Sequence, residues 1–519
     1  MVSRRTFLRG SLALAASAVG SHALRRLPRL GPVPEPVGGI KQGLTAAWIA
    51  AENAKPGTDE WLLRAPDPVG TIEGYLDHAS AALGDTVAFK VSTVRPEYQI
   101  LGFRMGWYQG LGARKVWESP TLPGRVQAAP LVDRETNRAE AVWETTYELT
   151  LDPKTFLSGC YLFRLNAADA DAHVPLTIRV DDSNAPFLMV NAVTSWQAYN
   201  KWGGASLYWG RTRHGETYAA RARVVSFDRP YVLGAGGGDF AGNELPLVMR
   251  LEQQAFDVTY LTSLDVHADP SRLLRHKAIL SPGHDEYWSL EMRNGTEAAR
   301  DQGINLAFLG ANACFRQIRF EDSPLGPNRR QVCYKEARED PLRRTDPRRT
   351  TVDWRYDPVD RPEASMIGVQ YDGQPVRAAL VVTDPDAWMF EGTGAYPGMS
   401  HPGVIGPEYD TRYPGSSPEN LQVLAHSPVV VGVRPSHADT SYYTAPSGAG
   451  VFASGTIWWI GHLHPVFFGI AQSEFVHQTT LNVLRAFGEG PAGRTYPAIP
   501  NTPAAGKNDQ GGAINSPAA

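Results

Sequence analysis

The stretch "KAILSPGHDEYWS", Lys277 to Ser289, decides how this chain is read. A continuous apolar run, Ala278-Ile279-Leu280, ends at Ser-Pro-Gly, and His284, Asp285, Glu286 and Tyr287 follow without a gap. Three similar runs occur nearby: "FLMVNA" (187–192), "FDVTYLT" (256–262) and "INLAFLG" (304–310). Helix-like stretches separate them, among them "ELPLVMRLEQQ" (244–254) and "SLEMRNGTEAARDQ" (289–302). Apolar strands without alternation, interleaved with helices, predict a mostly parallel sheet covered on both faces. Such a sheet binds ligands beyond the carboxyl ends of its strands. The polar residues after Gly283 stand at such an end.

Upstream the rhythm is different. Between about 44 and 182, runs such as "TVAFKVST" and "YQILGFRMGWY" alternate at period two, with Gly, Asp and Pro between them. This predicts short antiparallel strands in a β-sandwich. The fold class expected is therefore multidomain, a β-sandwich at 44–182 followed by an α/β domain at 183–490. Later runs, "LVVTD", "VVVGVRP", "GVFASG" and "IWWIGHL", read as further strands. The Arg-rich stretch between about 321 and 365 reads as a solvated insertion, and residues 491–519 as a disordered tail.

Both the leader and the composition narrow the function. "SRRTFLRG" (Ser3–Gly10) with the apolar run after it and Ser21-His22-Ala23 is a twin-arginine pattern. Residues 1–23 are expected to be a removable export signal, 24–43 a linker, and the mature protein periplasmic or extracellular. No integral membrane segment is expected in the mature chain. A net charge of −4 gives no reason to expect a nucleic-acid partner. Three cysteines, Cys160, Cys314 and Cys333, exclude a disulfide scaffold. Thirteen Trp and 20 Tyr are enough to line a cleft or to fill large cores.

Five constellations carry chemistry. His284 and Glu286 are two apart, so an extended backbone points both to one side, where they can bind a metal or move protons. The bland alternative has Asp285 capping the next helix. Asn312, in "LGANACFR" after another apolar run, can orient a carbonyl or a water. Cys314 beside it lacks the flanking glycines of a nucleophile elbow and reads as buried and inert. Trp196, Tyr199, Trp202 and Tyr208 crowd the segment after "FLMVNA", as pocket wall or satellite core. His462 and His464 in "GHLH" alternate as zinc or iron ligands do. Glu408 and Asp410 lie in the Gly/Pro-rich loop "HPGVIGPEYD", with Glu391 as a competing carboxylate.

Together "SWQAYNKWGG", "SPGHDEYWS", "LGANACFRQIRF" and "GPEYD" resemble the large (beta) subunit of N,N-dimethylformamidase and its C-terminal-domain relatives. The segment "YQILGFRMGWYQGLGARKV" is similar to the sandwich preceding that domain. The resemblance implies a flavodoxin/glutaminase-like α/β domain and a mononuclear ferric iron held by two tyrosinates and a glutamate. By motif these are Tyr199, Glu286 and Tyr161, with Tyr208 as the other candidate for the second tyrosine. It further implies hydrolysis of a small amide, with His284 or Glu408 taking and returning the proton and Asn312 holding the carbonyl oxygen or the developing oxyanion. Trp196, Trp202 and Trp288 would wall the substrate. Three readings stay open beside it: a zinc- or iron-dependent hydrolase using His284, Glu286, His462 and His464; a cysteine hydrolase at Cys314; and a secreted, non-catalytic glycan- or cell-wall-binding protein. A homo-oligomer also stays open.

Overall fold

The computed structural model describes residues 41, 43–66, 70–464 and 470–501. The expected export signal, nearly all of the linker and most of the tail lie outside the described residues.

The chain is β-rich and carries several sheets. In the first half, Ile72–Leu76, Thr86–Thr93 and Tyr147–Thr150 form a three-stranded antiparallel sheet. A second sheet runs in the order Ser80–Ala82, Ala170–Arg179, Gly159–Ala167, Glu97–Met105, Ala113–Glu118. Alternation explains their packing. Val87, Phe89 and Val91 share one face of their strand and meet Phe163, Leu165, Leu176 and Ile178 of the second sheet in a common core.

The second half is built on one seven-stranded sheet. Its strands are β1 (Phe187–Asn191), β2 (Val258–Thr262), β3 (Ala278–Gly283), β4 (Asn305–Gly310), β5 (Gln422–Val431), β6 (Arg434–Thr444) and β7 (Gly450–Ala453). The spatial order is β2-β1-β3-β4-β7-β6-β5. Neighbours from β2 to β7 are parallel, while β6 and β5 join as an antiparallel extension. The apolar runs are unbroken because both faces are buried. Phe187, Met189, Ala278 and Leu280 enter one core, and Leu188, Val190 and Ile279 enter the other. The helices Leu245–Gln253 and Glu474–Glu489 supply the first core, and Leu290–Asp301 the second. Leu101, Phe103 and Leu162 of the first half also reach the first core, so the two halves share it.

Three expectations are corrected here. "IWWIGHL" forms a 3-10 helix, Ile457–His462, rather than a strand. The Asp285 carboxylate does not cap a helix: Ser289 does, its Oγ accepting from the Met292 N–H, while Asp285 accepts from the Ser281 hydroxyl at 2.8 Å. The Arg-rich segment is not a solvated insertion throughout. It includes the hairpin strand Gly326–Val332, and its Arg330, Arg355 and Asp340 pair with Glu140, Glu363 and Arg319.

Candidate functional site

The ends of β3 and β4 approach closely because both are glycine. A Cβ on Gly310 would meet the Gly283 carbonyl at 1.8 Å, and Gly283 itself sits at φ +45. Beyond them the backbone is held by unusual bonds. The Cys314 N–H donates to the Asp285 carbonyl and the Arg316 N–H to the Glu286 carbonyl, both at 2.9 Å. The Glu286 N–H donates to the Ser195 hydroxyl. Residues 287–289 then pair in parallel with 316–318. Asn312 and Cys314 sit at φ +58 and +53, a region other residues occupy rarely and Asn more readily.

Glu286 is fully buried at the centre. The Tyr199 hydroxyl donates to one of its oxygens at 2.6 Å, the Tyr208 hydroxyl to the other at 2.5 Å, and the two phenol oxygens are 3.1 Å apart. The phenol rings stack at 4.7 Å. Tyr199 ends the Val193–Tyr199 helix, and Tyr208 returns from the loop that follows. Buried Arg229 clamps that loop through the carbonyls of Gln197, Asn200, Trp202 and Ala205.

His284 bridges to a second carboxylate. Its Nε2 lies 3.5 Å from Glu286 and 3.6 Å from Glu408. The Asn312 amide donates to Glu408 at 2.8 Å, and the Asn312 backbone N–H to Asp410, also at 2.8 Å. Arg316 Nε is 3.6 Å from Glu286, while its Nη1 pairs with Asp353. Lys335 places Nζ 3.0 Å from the centre of the Tyr208 ring.

The electrostatics follow from burial and this pairing. Burial opposes a charge on Glu286, but the His284 imidazole 3.5 Å away and the neighbouring cations hold its carboxyl at about 2. Burial likewise opposes a charge on His284, yet Glu408 and Glu286 together raise the imidazole to about 9. Glu408 is pushed upward by burial and by Glu286, against the pull of His284. Both phenols rise well above 10, because burial and the Glu286 charge penalise the phenolate. Burial, with Arg316 beside it, drives the Lys335 amine well below its ordinary value. Five buried polar atoms here lack a hydrogen-bond partner among the described residues: His284 Nε2, Tyr287 Oη, Asn312 Oδ1, Arg316 Nε and Lys335 Nζ. Native cores rarely leave so many in one place.

Of the expected site residues, the structure brings together Tyr199, Glu286, His284, Asn312 and Glu408. It does not bring Tyr161 to them. Tyr161 lies in the core of the first half, its hydroxyl donating to the Leu157 carbonyl at 2.9 Å, and Tyr208 stands where the second tyrosine was expected. The three tryptophans are engaged elsewhere. Trp196 donates to Glu244, Trp202 to Glu73 and Trp288 to the Asp285 carbonyl. Glu391 is exposed. His462 and His464 are both buried, with the His462 nitrogens against the carbonyls of Ala471 and Gly403. Burial drives the Cys314 thiol far upward, as an inert cysteine requires. Sequence reasoning missed Arg316 and Lys335. Arg316 lies within a quoted motif, but Lys335 had no signal in its basic segment.

Among the described residues, no group of three His, Cys, Asp or Glu side chains is arranged to hold a metal. The converging donors are instead two phenols and one carboxylate. A family model described as "N,N-dimethylformamidase beta subunit-like, C-terminal" matches residues 99–473. No curated protein matches the chain. Among solved structures it is similar to Cwp6 from Clostridium difficile, at 14% identity and a TM-score of 0.14 over 47% of this chain and 37% of that one. A likeness that slight carries no argument. No helix among the described residues is long and apolar enough to cross a membrane.

Proposed function

Because the chain belongs to the N,N-dimethylformamidase beta subunit-like, C-terminal family, we propose that it is a metal-dependent hydrolase of a small amide, exported by the twin-arginine route. The observation that carries this reading is the oxygen set around Glu286. Two phenols spend their protons on one buried carboxylate, and both resist ionisation because they are buried and because Glu286 is negative. A cation between the three would remove that penalty, and hard oxygen donors suit a hard ion. Tyr199, Tyr208 and Glu286 therefore fit a ferric ion, which when bound would polarise an amide carbonyl and acidify a water.

The remaining work falls to the chain's own groups. Glu408 takes a proton from the attacking water as the new C–O bond forms. His284, whose imidazole Glu408 holds toward the protonated form against burial, gives a proton to the amide nitrogen as the C–N bond breaks. Transfer between the two restores both, and amide plus water becomes acid plus amine. Asn312 uses one amide N–H to hold Glu408, and its unpaired Oδ1 is free to orient the water.

Metal analysis with a visible absorption spectrum of the mature chain tests this. About one iron per chain is expected, with a broad band lost or shifted in Tyr199→Phe and Tyr208→Phe and retained in Tyr161→Phe. Glu408→Gln should keep the band and lose activity on small amides by roughly 10²–10⁴-fold. A colourless zinc protein would replace iron in this reading, and a metal-free protein that binds polysaccharide would overturn it.

A further inference from the structure

A second site lies on other elements. Between Trp48 of the Ala47–Asn53 helix and the start of β2 there is a cavity of about 230 Å³. Leu83, Leu157, Val180 and Val258 give it apolar walls, and Asp257 is its one charged liner. The Asp257 carboxylate is half-buried and faces no cation: burial alone moves it, upward, and it has no hydrogen-bond or ion-pair partner among the described residues. Two further liners are unsatisfied. Ser158 and Thr259 are only 6% and 4% exposed, and neither hydroxyl has a hydrogen-bond partner there. Trp48, by contrast, is 39% exposed at the edge.

Leaving two buried hydroxyls unpaired in an apolar hollow is costly unless something pairs with them, and the half-buried Asp257 carboxylate sets the sign of the charge the hollow favours. An anion would be repelled by Asp257. A bare metal ion would find one carboxylate among hydrocarbon walls. A neutral apolar molecule would leave all three polar groups unpaired. An ammonium with an alkyl part answers each group: its charge to Asp257, its N–H groups to the hydroxyls, and its carbons to the apolar walls and to the Trp48 ring, which already carries the Arg104 guanidinium 5.7 Å from its centre. An apolar cavity of roughly 150 Å³ holds benzene, so this one suits about nine heavy atoms or fewer.

We propose that this cavity is a binding site for a small alkylammonium, set by Asp257, Ser158, Thr259 and the Trp48 ring. The site shares no residue with the Glu286 cluster and does not depend on the reaction proposed there. Calorimetric titration of the full chain with n-butylammonium chloride tests it, with 1-pentanol as the uncharged probe. Butylammonium should bind at about millimolar strength or tighter. Binding should weaken at least tenfold in Asp257→Asn and for 1-pentanol, and stay unchanged in Glu286→Gln. Ser183→Trp, which fills the cavity from its partly exposed rim, should also abolish binding and provides the test should Asp257→Asn fail to fold. The proposal falls if butylammonium gives no heat, if Asp257→Asn or Ser183→Trp binds like the parent chain, or if 1-pentanol binds equally well.

Discussion

Two buried charge clusters sit in this molecule, and they are built on opposite terms. At the junction of the two halves, Arg104 and Glu252 are both fully buried. All five Arg104 N–H groups are used: two on Glu252, one on Tyr108 and two on the Ser158 carbonyl. Glu252 also accepts from Asn53 and Tyr260. Around the fully buried Glu286 the partners are slightly more exposed, and Arg316, Lys335, His284, Asn312 and Tyr287 each leave a buried atom unpaired among the described residues. A satisfied cluster holds parts together. An unsatisfied one waits for atoms the chain does not itself provide, and stability is commonly given up at such sites.

The largest test of this contrast is a pair of substitutions of equal kind. Arg104→Met strands the Glu252 charge and should cost about 3–5 kcal/mol in denaturant unfolding. Lys335→Met removes an amine with no hydrogen-bond partner, whose ring contact is worth at most about 2 kcal/mol, and should stay within about 1 kcal/mol of the parent. Equal losses would break the comparison.

A smaller effect is expected in the pH dependence. Glu52, beside the Arg104 cluster, would be raised by burial, but hydrogen bonds from Lys55 and Arg114 hold it below its ordinary value. Its contribution is present above the unfolded carboxyl pKa, roughly 4.3, and is lost as pH falls below it. Glu408 is shifted the other way, so its contribution is present at low pH and lost as pH rises past the unfolded value. In the metal-free chain, Glu52→Gln should flatten the acid limb of the stability curve, while Glu408→Gln should stabilise at neutral pH. Two curves bent the same way would remove the distinction.

The smallest expected effect concerns the tryptophans. Trp202→Phe breaks the bond to Glu73 and trims an edge contact with Trp143. A loss of about 1 kcal/mol is expected, with amide selectivity unchanged. Altered selectivity would return Trp202 to the site.

How much was legible follows from how local each signal was. Glu286, His284, Asn312 and Glu408 could be found because each follows a strand or sits in a Gly/Pro loop that the sequence marks. Trp196, Trp202 and Trp288 misled because an indole is equally suited to a pocket and a core, and its N–H partner lies far off in the chain. Tyr161 and Tyr208 were separable only by position. Tyr161 sits in a strand buried on both faces, and nothing local says that its ring meets Phe163 and Phe156 rather than a metal site.

What the amino-acid order determined by itself was periodic. Unbroken apolar runs called for a sheet buried on both faces, alternating runs called for strands with one buried face, and a polar cluster after Gly283 marked where chemistry belongs. Which side chains meet there was decided only when the loop after β1, clamped by Arg229, folded back over the end of β3 and brought Tyr208 and Tyr199 onto Glu286. Lys335 arrived from more than a hundred residues further on. Burial patterns repeat along the chain and can be read from it. Convergence of three or four distant side chains on one point has no period, so it becomes visible only in the tertiary structure.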